Sequence, residues 1–285
     1  MRCSGANRRL ARRNFLGARD APKKKDGGNK MNTTTIAVIN QKGGVGKTTT
    51  CVNLAAELGA MGKKILVVDS DPQGNASDGL GYQFNDSTSL YEVMMNREEP
   101  KWSLHTTSAA NVWLIAANEK LASAELELGR TADWEYRLKT VIEKLNGQFD
   151  AVIIDCPPSL GVLTVNAVAA ADRILVPVQC EYYALKGLVM LAGTLQNIRL
   201  QGISEGKKID GVLLTMYSAN QNLTREVEAQ IRQYYGEYMF KTVIPRNVDL
   251  AAAPGQGKTI YDYKRRSSGG KAYHQLALEV KKLWL

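Results

Sequence analysis

The sequence predicts an α/β fold: a doubly wound, mostly parallel sheet with helices on both faces, in a single domain. Three observations predict it. Short apolar runs rich in Val and Ile alternate with longer stretches at helical spacing. Two of those runs end in a carboxylate, Asp69 and Asp155, and ligand sites of such sheets lie at the carboxyl ends of strands. The first run passes directly into a glycine-rich turn, Lys42-Gly43-Gly44-Val45-Gly46. An apolar fraction of 44% in 285 residues is ample for a core on both sides of a sheet.

The elements follow in order. Residues 33–39 are β-branched and read as a strand, and Thr49 to Ala56 opens a helix. Lys64–Asp69 is a buried strand, and Asp71-Pro72-Gln73-Gly74-Asn75 is the loop beyond it. A short helix is expected over Ser89–Met95, residues 96–107 carry no clear pattern, and Val112–Ala116 is a strand. Trp134, Leu138, Val141, Ile142 and Leu145 recur on one helical face. Ala151–Asp155 is a strand stopped by Cys156-Pro157-Pro158. Helices over Gly161–Ala171, Tyr183–Leu200 and Asn222–Tyr235 then alternate with strands over Arg173–Val178, Ile209–Met216 and Met239–Ile244. A helix near Gly270–Leu283 closes the chain. No repeat, low-complexity segment or interior linker divides residues 31–285, which are expected to form one unit.

The formal net charge of +9 is unevenly placed. Residues 1–30 hold 10 Lys/Arg and 2 Asp/Glu, a net of +8, leaving 27 and 26, a net of +1, for residues 31–285. The tail lacks periodicity and is expected to be a disordered extension. Translation from Met31 is the leading explanation; a nucleic-acid-binding arm and an organellar transit peptide are the alternatives. Cys3, Cys51, Cys156 and Cys180 form no Cys-x-x-Cys, and with only His105 and His274 beside them a zinc site is not expected. Reduced thiols and the lack of an 18-residue apolar run point to a cytoplasmic protein without a membrane span.

A strand, a glycine turn and a helix start together make a phosphate cradle, because converging N–H groups and the helix dipole both favour an anion. Lys47 is placed to reach the β- and γ-phosphates and the Thr48 hydroxyl to hold Mg²⁺. The usual pattern has glycine six residues before Lys47; here that position is Gln41, and a second lysine, Lys42, follows it. Asp155 fits a carboxylate that orients the Mg²⁺ shell, against the plainer reading of a strand-end acid facing solvent. Asp71 fits a group that positions the attacking water, against a turn-forming Asp before Pro72. Asp69, still within its strand, is expected to support the site structurally.

These motifs resemble one family. Lys42-Gly43-Gly44-Val45-Gly46-Lys47-Thr48-Thr49 is similar to the deviant Walker A motif of the ParA/MinD ATPases, a group of P-loop NTPases, with Lys42 at their signature lysine. Asp69-Ser70-Asp71-Pro72-Gln73-Gly74-Asn75 resembles the ParA/Soj Asp-x-Asp-Pro-Gln-Gly-Asn motif, and Asp155-Cys156-Pro157-Pro158-Ser159-Leu160-Gly161 its Walker B segment. Val243-Ile244-Pro245-Arg246-Asn247-Val248 resembles the nucleotide-base loop. The resemblance implies a weak ATPase using ATP and Mg²⁺, which partitions plasmids or chromosomes. Two ATP-bound subunits would face each other, Lys42 crossing to the partner's phosphates, Gly43 lying at the close approach, and Pro245 and Asn247 holding adenine. The homodimer would bind DNA non-specifically, on the nucleoid, and a ParB-type centromere-binding protein would stimulate turnover.

Two positions depart from that pattern. Soj-like proteins commonly carry arginines where this chain has Asn220 and Asp249, and those arginines are associated with DNA binding. Neutral and acidic groups remove phosphate contacts there. Arg225, Lys258, Lys264, Arg265, Arg266 and Lys271 are alternative cations, as is the tail; a solvated face is the plainer reading of that group. A MinD-like membrane-cycling ATPase is the alternative function. The last helix sets Tyr273, Leu276, Ala277, Val280, Leu283 and Trp284 on one face beside Lys281 and Lys282, although such a stripe more often packs on its own domain. An amidoligase-type enzyme, an iron–sulfur carrier ATPase and a non-hydrolysing scaffold find less support in the residues.

Overall fold

The computed structural model describes residues 33–83, 88–204 and 206–285, so the expectation for residues 1–30 lies outside the described residues. Seven strands form one sheet: β1 (Thr34–Val38), β2 (Ile65–Asp69), β3 (His105–Thr106), β4 (Val112–Ile115), β5 (Ala151–Asp155), β6 (Arg173–Gln179) and β7 (Gly211–Thr215). Their order is β3-β4-β2-β5-β1-β6-β7. Every pairing is parallel except β3 with β4. β5 is the centre, with its Asp155 in register with Val38 of β1 on one side and with Asp69 of β2 on the other. That register gathers the two strand-end carboxylates beside the start of the glycine loop.

The strands are apolar on both faces, as a sheet covered twice must be. Ile36, Val38, Ile65, Val67 and Ile153 enter one core, and Ala37, Leu66, Val68, Val152 and Ile154 the other. Helices α1 (Lys47–Ala60), α2 (Asn75–Gly79), α9 (Val248–Ala252), α10 (Ile260–Lys264) and α11 (Ser268–Trp284) contribute to the first. The second is covered by α3 (Leu90–Met94), α4 (Leu121–Leu128), α5 (Arg137–Lys144), α6 (Val162–Ala170), α7 (Ala184–Leu200) and α8 (Asn222–Tyr235).

One expectation needs correction. Residues 239–244 do not form a strand. Met239 makes only an isolated bridge to Val212, while the N–H groups of Lys241 and Thr242 donate to the Glu279 carboxylate at 3.0 and 3.1 Å. A side chain thus takes donors that a strand would have spent on its neighbour. Residues 96–107 hold a 3-10 turn, Pro100–Ser103, and the two-residue antiparallel edge strand β3. The apolar stripe of α11 is internal: Tyr273, Leu276, Ala277 and Val280 are buried, and the Tyr273 hydroxyl lies 3.2 Å from Thr50 Oγ1 on α1. Trp284 packs edge-on to Phe240 at 5.2 Å, leaving Leu283 exposed. No helix among the described residues is long and apolar enough to cross a membrane.

Candidate nucleotide site

The chain leaves β1, turns through residues 40–46 and enters α1 at Lys47. Gly44 and Gly46 have φ of +72° and +89°, conformations that suit glycine and turn successive N–H groups toward one side of the loop. Val45 anchors the turn by burial, and its carbonyl accepts the Thr215 hydroxyl from the end of β7 at 2.8 Å. Lys47 is 7% exposed, and its ammonium donates to the Lys42 carbonyl at 3.3 Å, across the loop. Gly43, Gly44, Gly46, Lys47, Thr48 and Thr49 line a cavity of about 680 Å³. Asp71, Gln73, Pro158 and Met216 also line it, as do residues of the 253–258 segment.

Lys42 behaves differently. It does not line that cavity, and its half-exposed side chain forms an ion pair with Glu181 beyond β6. Its N–H donates to Asn40 Oδ1 at 3.0 Å, so the backbone is held while the side chain points elsewhere.

The acids beside the loop divide by role. Asp69 is fully buried and accepts from Ser77 N–H and Oγ–H at 2.8 and 2.7 Å and from Asp71 N–H at 3.2 Å. It fixes the start of α2 and the loop between, a structural use. Asp71 faces the cavity, with Oδ1 accepting from Gln73 N–H at 3.0 Å. Asp155 Oδ1 accepts from the Cys51 thiol at 3.4 Å, while its buried Oδ2 has no hydrogen-bond partner. Burial pushes the Asp155 carboxyl above the usual carboxylate range, the Asp69 charge adds to this, and the Thr48 hydroxyl opposes it. Burial raises Asp69 as well. A buried acid with one unpartnered oxygen, close to a threonine hydroxyl, suits a hard divalent cation whose other ligands are phosphate and water. The donor set therefore fits Mg²⁺.

Of the remaining expected residues, only Lys258 lines this cavity. Pro245 makes a bridge with Tyr217, and Asn247 caps α9, accepting from Leu250 N–H at 3.1 Å and donating to Ser268 Oγ at 2.9 Å. Asp249 is ion-paired with Lys264 at 3.0 Å. Lys258 belongs to the nucleotide cavity, whereas Arg265, Arg266, Lys271 and His274 line a separate cavity of about 290 Å³. Sequence reasoning missed Cys51, Glu181, Thr215 and Met216. No motif marks them; each acquires its place through the sheet.

A family model described as an AAA domain matches residues 33–210. The sporulation initiation inhibitor protein Soj of Bacillus subtilis is 46% identical over 246 residues, covering 86% of this chain and 97% of Soj. The chain belongs to the Soj/ParA family of partitioning ATPases. Its Soj/ParA relatives include the chromosome partitioning protein ParA of Myxococcus xanthus, 43% identical over 248 residues, which covers 87% of both chains. A solved Mycobacterium smegmatis structure, named as a cobyrinic acid a,c-diamide synthase with bound ADP and magnesium, shares 37% identity with this Soj/ParA chain. Its TM-score is 0.77, over 88% of this chain and 95% of that one. The cell division ATPase MinD of Pyrococcus furiosus matches with a TM-score of 0.73 and 27% identity, over 88% and 99%.

Proposed function

We propose that this Soj/ParA-family ATPase is a dimerising switch that binds ATP and Mg²⁺, hydrolyses ATP slowly and moves plasmid or chromosome cargo. The observation that carries the reading is the split between two lysines on one loop. Lys47 lines its own cavity, whereas Lys42 stands on the same loop outside it, paired with Glu181. A cation that does not serve its own cradle is available to a facing copy.

In this reading the loop N–H groups and Lys47 hold the β- and γ-phosphates, with Gly43, Gly44, Val45, Gly46 and Thr49 shaping the cradle. Thr48 would hold Mg²⁺ and Asp155 would orient it, and the ion would supply positive charge beside the phosphate oxygens. Asp71 orients the attacking water from the β2 side. The base lies toward the loop of Pro245 and Asn247. Lys42 leaves Glu181 and crosses to the partner's phosphates, where a second cation offsets charge that develops during transfer. The Lys42–Glu181 pair is about half-exposed. Such a pair contributes only about 0–1 kcal/mol, so it does not block the crossing. The ATP dimer binds DNA non-specifically and a ParB-type partner stimulates turnover; partitioning by the family supports both steps.

Lys42→Ala tests the split. It should bind ATP with an affinity within about three-fold of wild type, since it removes no cavity contact, yet stay monomeric with ATP in size-exclusion chromatography and lose turnover. A normal ATP dimer in this variant would remove the crossing lysine from the mechanism.

A further inference from the structure

The two buried strand-end acids are satisfied in different ways. Asp69 and Asp155 are both fully buried, and both oxygens of Asp69 accept hydrogen bonds. Asp155 engages one oxygen only: Oδ1 accepts from the Cys51 thiol at 3.4 Å, and Oδ2 has no partner. The peptide behind it is firmly held. β5 is hydrogen-bonded between β1 and β2, and the Asp155 carbonyl accepts from Ser70 N–H at 2.9 Å and Ser70 Oγ–H at 2.6 Å. A fixed peptide does not fix a carboxylate, whose terminal torsion is broad and soft. The plane of the carboxylate needs a holder of its own.

Cys51 is placed to be that holder. It lies on α1 three residues after Thr48, so the two side chains share a helix face about one turn apart. One helix thus turns both a hydroxyl suited to the cation and a thiol toward the same acid. The thiol is itself fully buried in the core between α1 and the sheet. Its sulfur lies 3.9 Å from the Ile154 carbonyl, farther than from Oδ1, so the carboxylate is the nearer acceptor for its single hydrogen.

We infer that Cys51 is a positioning residue for Mg²⁺: its thiol holds Oδ1 of Asp155, fixes the plane of the carboxylate and leaves Oδ2 for the cation shell that Thr48 shares. The inference rests on the Mg²⁺ reading of the site and adds the group that aims its buried acid. Groups that orient a metal's carboxylates commonly change its affinity ten-fold or more when removed.

Titration calorimetry of the full chain with ADP, once in EDTA and once in Mg²⁺, tests it in wild type, Cys51→Ala and Cys51→Ser. The ratio of the two affinities measures the coupling between nucleotide and metal. Alanine and serine are both smaller than cysteine, and only serine keeps a donor. Cys51→Ala should shrink the Mg²⁺-dependent gain about ten-fold while its affinity in EDTA stays within about two-fold of wild type. Cys51→Ser should recover the gain to within about three-fold. An undiminished gain in Cys51→Ala would overturn the inference. So would an equal shrinkage in both variants, which would make Cys51 a packing residue, or an equal loss with and without metal, which would place its effect on the phosphate loop. A wild-type chain that binds ADP no better with Mg²⁺ would refute the metal reading itself, and Cys51 would fall with it.

Discussion

The two flanks of the glycine loop are built on different plans. On the β2 flank the functional groups are strand-end acids in a buried network: Asp69 alone accepts three hydrogen bonds, and Ser70 Oγ donates to the Asp155 carbonyl at 2.6 Å. On the β7 flank, Met216 with its positive φ lines the cavity, and behind it lie a loop held by single bridges and two helices of five residues, α9 and α10, joined by the Asp249–Lys264 pair. The first plan holds buried acids in a shared hydrogen-bond network. The second provides adjustable surface for recognition, and its ion pairs contribute little to stability.

Three variants would sharpen or break that contrast. The largest effect belongs to the loop shared by both flanks. Lys47→Ala removes the one cavity-lining ammonium of the Walker A turn and should lower ATP affinity by about a hundred-fold or more, measured by calorimetry. Retained affinity would place the phosphates elsewhere. Next comes the β2 flank alone. Asp71→Ala should cut kcat by about a hundred-fold while leaving ATP bound, so that an ATP-loaded dimer accumulates in size-exclusion chromatography. Normal turnover would return Asp71 to a turn-forming role. The smallest effect is expected on the recognition flank. Asn220→Arg with Asp249→Arg should steepen the salt dependence of DNA binding by about two log units per log unit of salt, with ATP hydrolysis little changed. An unaltered slope would assign DNA contact to another surface, such as that of Arg265, Arg266 and Lys271.

The same contrast governs what the sequence discloses. The β2 flank was legible because its chemistry uses local patterns: apolar runs end in Asp69 and Asp155, and glycines at 44 and 46 announce a backbone turned toward an anion. The alternation of runs also disclosed the doubly wound sheet, since the parallel strands are apolar on two faces. The β7 flank was less legible because it depends on contacts distant in sequence. Residues 239–244 have a strand-like composition, yet Glu279, 37 and 38 residues on, captures two of their N–H groups. Glu181 becomes a partner for Lys42 only when β6 is laid beside β1. Cys51 reads as an ordinary helix residue until the register of β5 brings Asp155 beneath it. A positive φ at methionine has no compositional sign at all.

One contact within the loop joins its two lysines. Lys47 donates to the carbonyl of Lys42, the residue whose side chain is paired outward. A phosphate that draws the Lys47 ammonium away therefore unties the very peptide from which the second lysine springs. In the proposed reading, filling the pocket would then also loosen the hold on that arm.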